Sequence, residues 1–588
     1  MANLIHSFTA HFCAFFKNKN RLTSLTALII FISVISAIYQ QKKWQTVQGY
    51  VINDVRGYYS YLPYLFIYDD IEFKSAIKEE VWFSINEEDS TRYMKYTTGM
   101  AIAYAPGFFI AHAISKSANS NANGYSLAYQ ISFIITALIF LIIALSFTRK
   151  LLLIHFSDRI SSIVLLIIFL GTNLFHYSSS CLAYAHLYSY TLIVCFLYFC
   201  VKWLKNPTIK TSFLIGFLAG WFVLIRPIDL LFVVFPLVYQ ISNLKALRNR
   251  WKFIKNNKRF FIPILLGGLI VWIPQLTYLY STFGTLKLNT YSQEQFYFAS
   301  PHFYDTLFSF RDGWLIYSPL MLLAVLGVLF FSLRQKYYFY TAVILAYWFI
   351  IASWWCWWYQ GFGNRAFINL YPFLLLPLGY GLEKLFQMNW IKNFSKLVVV
   401  CGIFLSLFHT AQFETGAYTT GKQTFAAYKE NFLELQSSVL YFNLLAEPDM
   451  NLAMAGSNEI YVSTFDTIFK QKCFKEVTFS TPGYFPLHHF KKKQANTISV
   501  RIETNHTVNE QDFLFLKSSN NQIKINEFTR VNQPLFSGSI LHYFATIEGG
   551  NPEDTLELIL SKEDRSSYRL TPFSIDGLVK NTVLKKID

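Results

Sequence analysis

The sequence predicts an α-helical polytopic membrane protein with a β-rich domain at its C-terminal end. Three observations carry that prediction. Hydrophobic residues make up 53% of the chain and charged residues 15%, where soluble proteins usually carry about a quarter charged. Several apolar runs reach the roughly 18–20 residues that cross a bilayer. Beyond residue 470 these runs give way to NTISVRI, DFLFLK, QIKINEF and DTLELILS, whose alternation has the period of strands.

The remaining bulk features exclude other classes. At 588 residues the chain is too long for one soluble domain. The formal charge of +16 does not indicate nucleic acid, because many cations fall in short loops between apolar runs, where they orient helices. The seven cysteines form no CxxC pair and read as small buried hydrophobes. No internal repeat of fixed period is present.

Taken in order, the first apolar run, Leu22 to Ile38, follows Lys17, Lys19 and Arg21 without a cleavage-site pattern. It reads as a signal anchor with a cytoplasmic N-terminus. The stretch Asn243 to Arg259 carries seven cations and no acid, so it is placed on the cytoplasmic side. Counting back from it gives Tyr125–Phe147, Ile160–Phe175, Ala185–Val201 and a broken segment Thr211–Ile241 turning near Arg226-Pro227. Short broken segments of this kind line sites within membranes. The count leaves 39–124 as one outer loop. Thr97–Ser115, interrupted by Pro106-Gly107, then lies in the interface or re-enters rather than crossing. Phe260–Tyr280, Trp314–Leu333, Tyr337–Ala352, Ala366–Leu385 and Leu397–Thr410 bring the total to about eleven crossings. The expected division is a transmembrane domain over 1–411 with outer loops 39–124, 281–313 and 354–365. A connector over 412–469 and an extracytoplasmic β-sandwich-like domain over 470–588 follow.

The unusual polar residues gather in the three outer loops. NDVRGYYSYLP, Asn53 to Pro63, holds one acid, Asp54, beside Arg56 and tyrosines including Tyr58 and Tyr59. Lys95 follows in RYMKYTTG. SPHFYDTLFSFRDGWLIYSP supplies Arg311, and WWCWWYQGFGNRAF supplies Trp358 and Arg365. At this level Asp54 reads either as a catalytic base or as a loop acid paired with Arg56. Arg226 reads either as a ligand or as a partner for carbonyls freed by the Pro227 break. The tryptophans read as an interfacial belt or a sugar platform. Cations recognise phosphate and aromatic faces stack on sugar rings. A lipid-linked phosphosugar asks for an acid, cations and aromatic faces on one side of the membrane.

These motifs, in this order, resemble the GT-C superfamily of integral-membrane glycosyltransferases. The likeness is to bacterial relatives of protein O-mannosyltransferases and aminoarabinose transferases, and it covers roughly residues 20–410. It rests on the acid after the first helix, KYTTGMAIAYAP, LIRPID, GWLIYSP and WWYQGFGNRAFINLYP. One departure is Gln360, where a glycine is common. The resemblance implies a GT-C-like fold and inverting transfer of a sugar from a polyprenyl-phosphate donor to a hydroxyl on a glycan, lipid or protein acceptor. It makes Asp54 the base. Lys95, Arg365, Arg56, Arg226 and Arg311 are candidates for the donor phosphate. Tyr58, Tyr59, His186 and Trp358 are candidates for positioning substrate, with His112 beside them. No His/Asp/Glu cluster stands at a metal spacing, so neither cofactor nor metal is expected. The implied setting is the bacterial inner membrane, with the C-terminal domain periplasmic and no nucleic-acid partner. Alternatives are a transporter or flippase of a lipid-linked sugar, a polymerase or ligase of lipid-linked oligosaccharide, and a membrane-anchored binding protein. Related halves with mid-membrane charges would mark the transporter.

Overall fold

Described here in a computed structural model, the chain forms two compact units. One comprises residues up to Ser309 together with Gly313–Leu407, and the other Phe310–Asp312 with Phe408–Asp588. The described residues are 20–46, 49–76, 81–86, 90–291 and 294–437, and beyond 437 mainly the strands, as backbone. Lys17 and Lys19 of the expected anchor lie outside them.

The first unit is helical. Among the described residues of the chain, five helical segments are long and apolar enough to cross a membrane: Arg21–Gln45, Leu127–Leu152, Ala185–Lys205, Lys258–Phe283 and Lys392–Glu414. Shorter apolar helices occupy Ile209–Ile225, Pro227–Val238, Met321–Leu333 and Tyr338–Ala352. By length and composition this is a polytopic membrane protein. The helix starts follow local chemistry. Ser157, Thr208 and Asn243 each accept a hydrogen bond from a backbone N–H in the first turn they precede. Asp158 caps a helix other than its own. Its carboxylate accepts the backbone N–H groups of Leu22 (2.9 Å) and Thr23 (3.1 Å), which have no partner within the first helix.

Several expectations shift. Trp314–Leu333 is not one helix. A turn over Trp314–Tyr317 ends at Ser318, and a second helix runs Met321–Gln335, because the residue before Pro319 is driven out of the helical region. Ala366–Leu385 opens with a tight turn, Arg365–Leu370, and becomes an α-helix over Tyr371–Gln387. The basic Asn243–Arg259 stretch contains a helix, Leu244–Asn256. Pro106-Gly107 does not interrupt its segment, which is helical throughout Gly99–Ser117. Gly107 faces the Leu127–Leu152 helix so closely that a Cβ would stand 2.8 Å from Thr136 Oγ1. The glycine marks close packing, not a break.

Two packing features position the site. The Ile209–Ile225 and Phe261–Phe283 helices meet through glycines, as small residues allow in membranes. A Cβ on Gly216 would stand 1.8 Å from the carbonyl oxygen of Ile264, and one on Gly267 2.2 Å from that of Phe213. The first of these helices ends at Arg226, which is extended (φ −140°, ψ 106°) ahead of Pro227. The second presents Gln275 to the backbone N–H of Thr98 (2.8 Å) and the Tyr278 hydroxyl to that of Met94 (2.8 Å). It thereby fixes the strand leading to Lys95 and Tyr96.

In the second unit, Phe310 packs its ring on Phe425 and Tyr428, and Asp312 accepts from Tyr418, Thr420 and the backbone N–H of Gly421. The described strands of this unit form two antiparallel sheets. The larger follows the order Thr529–Arg530, Ile540–Glu548, Thr497–Thr504, Tyr568–Lys586, Glu459–Cys473, Ala446–Pro448, and the smaller is Gly483–Lys491, Thr555–Lys562, Phe513–Ser518. Strands therefore begin upstream of residue 470, inside the segment expected as a connector.

Gly216→Val should separate the two glycine-paired helices. The expected outcome is a loss on the order of 1–3 kcal/mol, read as a lower thermal midpoint of the detergent-purified protein. An unchanged midpoint would contradict this packing.

Candidate active site

Asp54 occupies the first position of a helix, Asp54–Phe66, where unpaired N–H groups favour a negative charge. The residue before it, Asn53, adopts φ 46°, ψ −128°, a conformation costly for any residue but glycine. Asn53 Nδ2 donates to the Tyr184 hydroxyl at 3.0 Å. Local strain is thus tied down by a side chain next to the carboxylate.

The carboxylate is held from two further segments. One oxygen lies 2.7 Å from Arg365 Nη1, and the side chains are only 13% and 12% exposed. The other accepts the Tyr96 hydroxyl at 3.1 Å. Burial alone would raise the Asp54 pKa, but the Arg365 charge, the Tyr96 hydroxyl and the charge of Arg226 outweigh it and hold the group below its ordinary 3.8. The carboxyl is ionised at neutral pH. Tyr58 completes this wall: its ring lies 4.6 Å from that of Tyr96. Burial and the adjacent Asp54 charge push its hydroxyl up to about 12, against the opposing charges of Arg226 and Arg365, so it stays neutral.

Arg365 owes its place to a strained loop. Its Nε donates to the carbonyl of Tyr359 at 2.9 Å, and its guanidinium stands 5.5 Å over the Tyr184 ring. Tyr359 (φ 54°), Gln360 (φ 43°), Gly363 (φ 64°) and Asn364 (φ 47°) all lie in the left-handed region. Gln360 is the position where the sequence departs from glycine, and its backbone is of the kind glycine serves. A Cβ on Gly361 would stand 2.6 Å from Arg365 Cδ and 2.7 Å from the Tyr177 hydroxyl, so only glycine lets the arginine pass. Asn173 clamps the loop, donating to the carbonyls of Phe362 (3.1 Å) and Gly363 (2.8 Å) while its own oxygen accepts the Tyr371 hydroxyl at 2.6 Å.

The other sequence candidates divide. Arg226 stands in the cluster, with Nη2 3.3 Å from Nε2 of the buried His186. Lys95 is taken up by an ion pair with Glu294, whose second oxygen accepts the Trp355 indole N–H at 3.2 Å. Its ammonium also stands over the Tyr96 and Tyr291 rings. Arg56 shares the first turn with Asp54, yet the cations acting on Asp54 are Arg365 and Arg226. Trp358 is buried beside Trp355 and Trp357, immediately before the Tyr359 that holds Arg365. Tyr59 is a core residue. Its ring packs on Tyr104, Phe108, Tyr125 and Phe133, and its hydroxyl bonds the Gly124 carbonyl. Arg311 belongs to the second unit, where its carbonyl accepts the Tyr418 hydroxyl at 2.8 Å. His112 bonds the Tyr129 hydroxyl at 2.6 Å. Sequence reading missed Tyr96, Tyr184 and Asn173, and also Asp229, which lies inside the quoted LIRPID. Among the described residues no three His, Cys, Asp or Glu side chains gather closely enough to hold a metal ion.

No family model and no curated protein sequence matches the chain. Among solved structures it is similar to the apo form of the Archaeoglobus fulgidus oligosaccharyltransferase, at 13% identity and a TM-score of 0.41, covering 70% of this chain and 59% of that one. It is also similar to the Archaeoglobus fulgidus oligosaccharyltransferase AglB in complex with an inhibitory peptide and a dolichol-phosphate, at 14% identity and a TM-score of 0.39, covering 68% and 57%. The chain thus spans less than two thirds of the length of these proteins. At such scores the likeness establishes no activity.

Gln360→Gly should relieve backbone strain on the order of 1 kcal/mol and raise the thermal midpoint, whereas Gln360→Val should lower it. A lower midpoint for the glycine variant would contradict the strained loop.

Proposed function

We propose that the chain is an inverting glycosyltransferase. It moves a sugar from a polyprenyl-phosphate donor to a hydroxyl acceptor, on the outer face of the bacterial inner membrane. The observation that carries this reading is the ionised, nearly buried Asp54 carboxylate held 2.7 Å from Arg365, with Arg226 as a second cation acting on it. The sequence resemblance to GT-C enzymes supports it independently. The second unit, on this reading, is extracytoplasmic, and the acceptor is a glycan, a lipid or a protein.

The chemistry follows from the charges. The acceptor oxygen attacks the anomeric carbon, the bond from that carbon to the phosphate oxygen breaks, and Asp54 takes the acceptor's proton. The polyprenyl phosphate leaves with the bonding electrons, and the arginines meet its growing charge. In the structure Arg365 is paired with Asp54. A donor phosphate offers Arg365 a competing bidentate partner. As the guanidinium turns to it, Asp54 loses the charge that held its pKa down, and burial, the largest influence on the group, then raises it. Donor binding therefore turns a weak base into a stronger one. His186, beside Arg226, and Tyr58 orient the reactants.

The test is to supply purified protein with a panel of polyprenyl-phosphate sugars and to score release of polyprenyl phosphate. Asp54→Asn should lose roughly 10²–10⁴ in kcat, and full activity in that variant would remove Asp54 as base. The pH profile gives a second check. A depressed pKa keeps the base form present down to below 3.8 in the free enzyme, so kcat/KM for donor should show no acid limb above that. The acid limb of kcat, which reports the donor complex, should lie at higher pH. Coincident limbs would contradict the switch.

A further inference from the structure

Tyr184-Ala185-His186 opens the Ala185–Lys205 helix, and the reaction above gives Tyr184 no part. Tyr184 is extended (φ −71°, ψ 156°) and His186 lies in the first helical turn, so the two side chains leave the backbone in different directions. Each meets one arginine of the site. The Tyr184 ring lies under the Arg365 guanidinium, with 5.5 Å between its centroid and the guanidinium carbon. His186 Nε2 stands 3.3 Å from Arg226 Nη2. An arginine side chain has donors and no acceptor. Nε2 therefore accepts this bond, and the neutral ring carries its proton on Nδ1. The Tyr177 ring packs on both holders, its centroid 4.7 Å from that of His186 and 6.0 Å from that of Tyr184. The Tyr184 hydroxyl is tied in turn to Asn53.

Burial separates the holders from the held. Tyr184 is 6% and His186 1% exposed, whereas Arg226 and Arg365 each keep part of their surface. A ligand therefore reaches the guanidinium groups and not the side chains that hold them. A long arginine side chain with no holder loses rotamer freedom when it binds, and that loss weakens its grip on a phosphate. We propose that Tyr184 and His186 are positioning residues that set Arg365 and Arg226 as the two jaws of one phosphate clamp. The tyrosine does so through its ring face and the histidine as a neutral acceptor at Nε2. His186 acts through Arg226 and not on the sugar. The inference rests on the reading of this site as the donor-phosphate site.

The probe is farnesyl phosphate, which carries no sugar, titrated into the full-length protein in detergent. Glutamine places its amide oxygen where Nε2 stands, and asparagine, one methylene shorter, does not reach. His186→Asn should bind farnesyl phosphate about tenfold more weakly, as the loss of one hydrogen bond to a charged group does. His186→Gln should recover most of that loss. Native affinity in His186→Asn overturns the proposal, because a histidine that serves only the sugar leaves this probe untouched. Equal losses in the two variants overturn the acceptor role. In an Arg226→Gln background His186→Asn should have little further effect, since the group it serves is gone. The full loss there contradicts action through Arg226. Tyr184→Leu, without the ring, should bind about threefold more weakly, and Tyr184→Phe, which keeps the ring, should bind more tightly than Tyr184→Leu. Equal binding by those two overturns the ring's role, and this pair carries the test if His186→Asn does not fold. If the native protein binds no farnesyl phosphate, the phosphate reading falls and the clamp with it. The thermal midpoints of His186→Asn, Arg226→Gln and the double variant then still decide whether His186 holds Arg226, additive losses meaning that it does not.

Discussion

A carboxylate taken out of water must be paired or protonated, since the cost of burying an isolated charge exceeds what a folded chain can spare. Asp54 is paired, and the site is built around that requirement. Its partner Arg365 comes from more than three hundred residues downstream, so the pair ties the start of one polar loop to the start of a late helix. Leaving either charge alone would cost several kcal/mol. That makes the pair a constraint on how the whole helical unit closes, besides being a feature of the site.

The structure around the pair positions its members and the groups that act on them. The glycine-lined contact between Ile209–Ile225 and Phe261–Phe283 brings Arg226 in at the end of one helix. It also sets Gln275 and Tyr278 on the other to hold the segment that carries Tyr96. The loop before Arg365 accepts left-handed backbone at four positions and is clamped by Asn173. Asn53 is strained on the opposite side. Strain concentrated around one ion pair is affordable because the surrounding contacts over-determine it.

Much of the site was legible because it rests on local signals. An acid just after the first apolar run, an arginine before a proline in an apolar segment and an arginine after a Gly-rich aromatic loop are each visible in a short window. The break at Arg226-Pro227 falls where the sequence places it, because proline acts on its own neighbour. What depended on distant contacts was not legible. Tyr59 and Tyr58 are adjacent and chemically alike, yet one points into an aromatic core and the other at Tyr96. Nothing local separates them. Lys95 looked available because its partner Glu294 lies 199 residues away. Arg311 sits in a loop with the right composition but is gathered into the other unit. The Pro106-Gly107 pair reads as a break by propensity, and tertiary packing overrides it.

The account turns on Arg365 changing partners, from Asp54 to the phosphate of the donor. The most direct measurement is a cryo-electron-microscopy structure of the protein with a polyprenyl phosphate bound. The account predicts the guanidinium of Arg365 on phosphate oxygens, with its 2.7 Å contact to Asp54 opened and Arg226 on the same phosphate. A lipid phosphate seated elsewhere, with the Asp54–Arg365 pair intact, would contradict it.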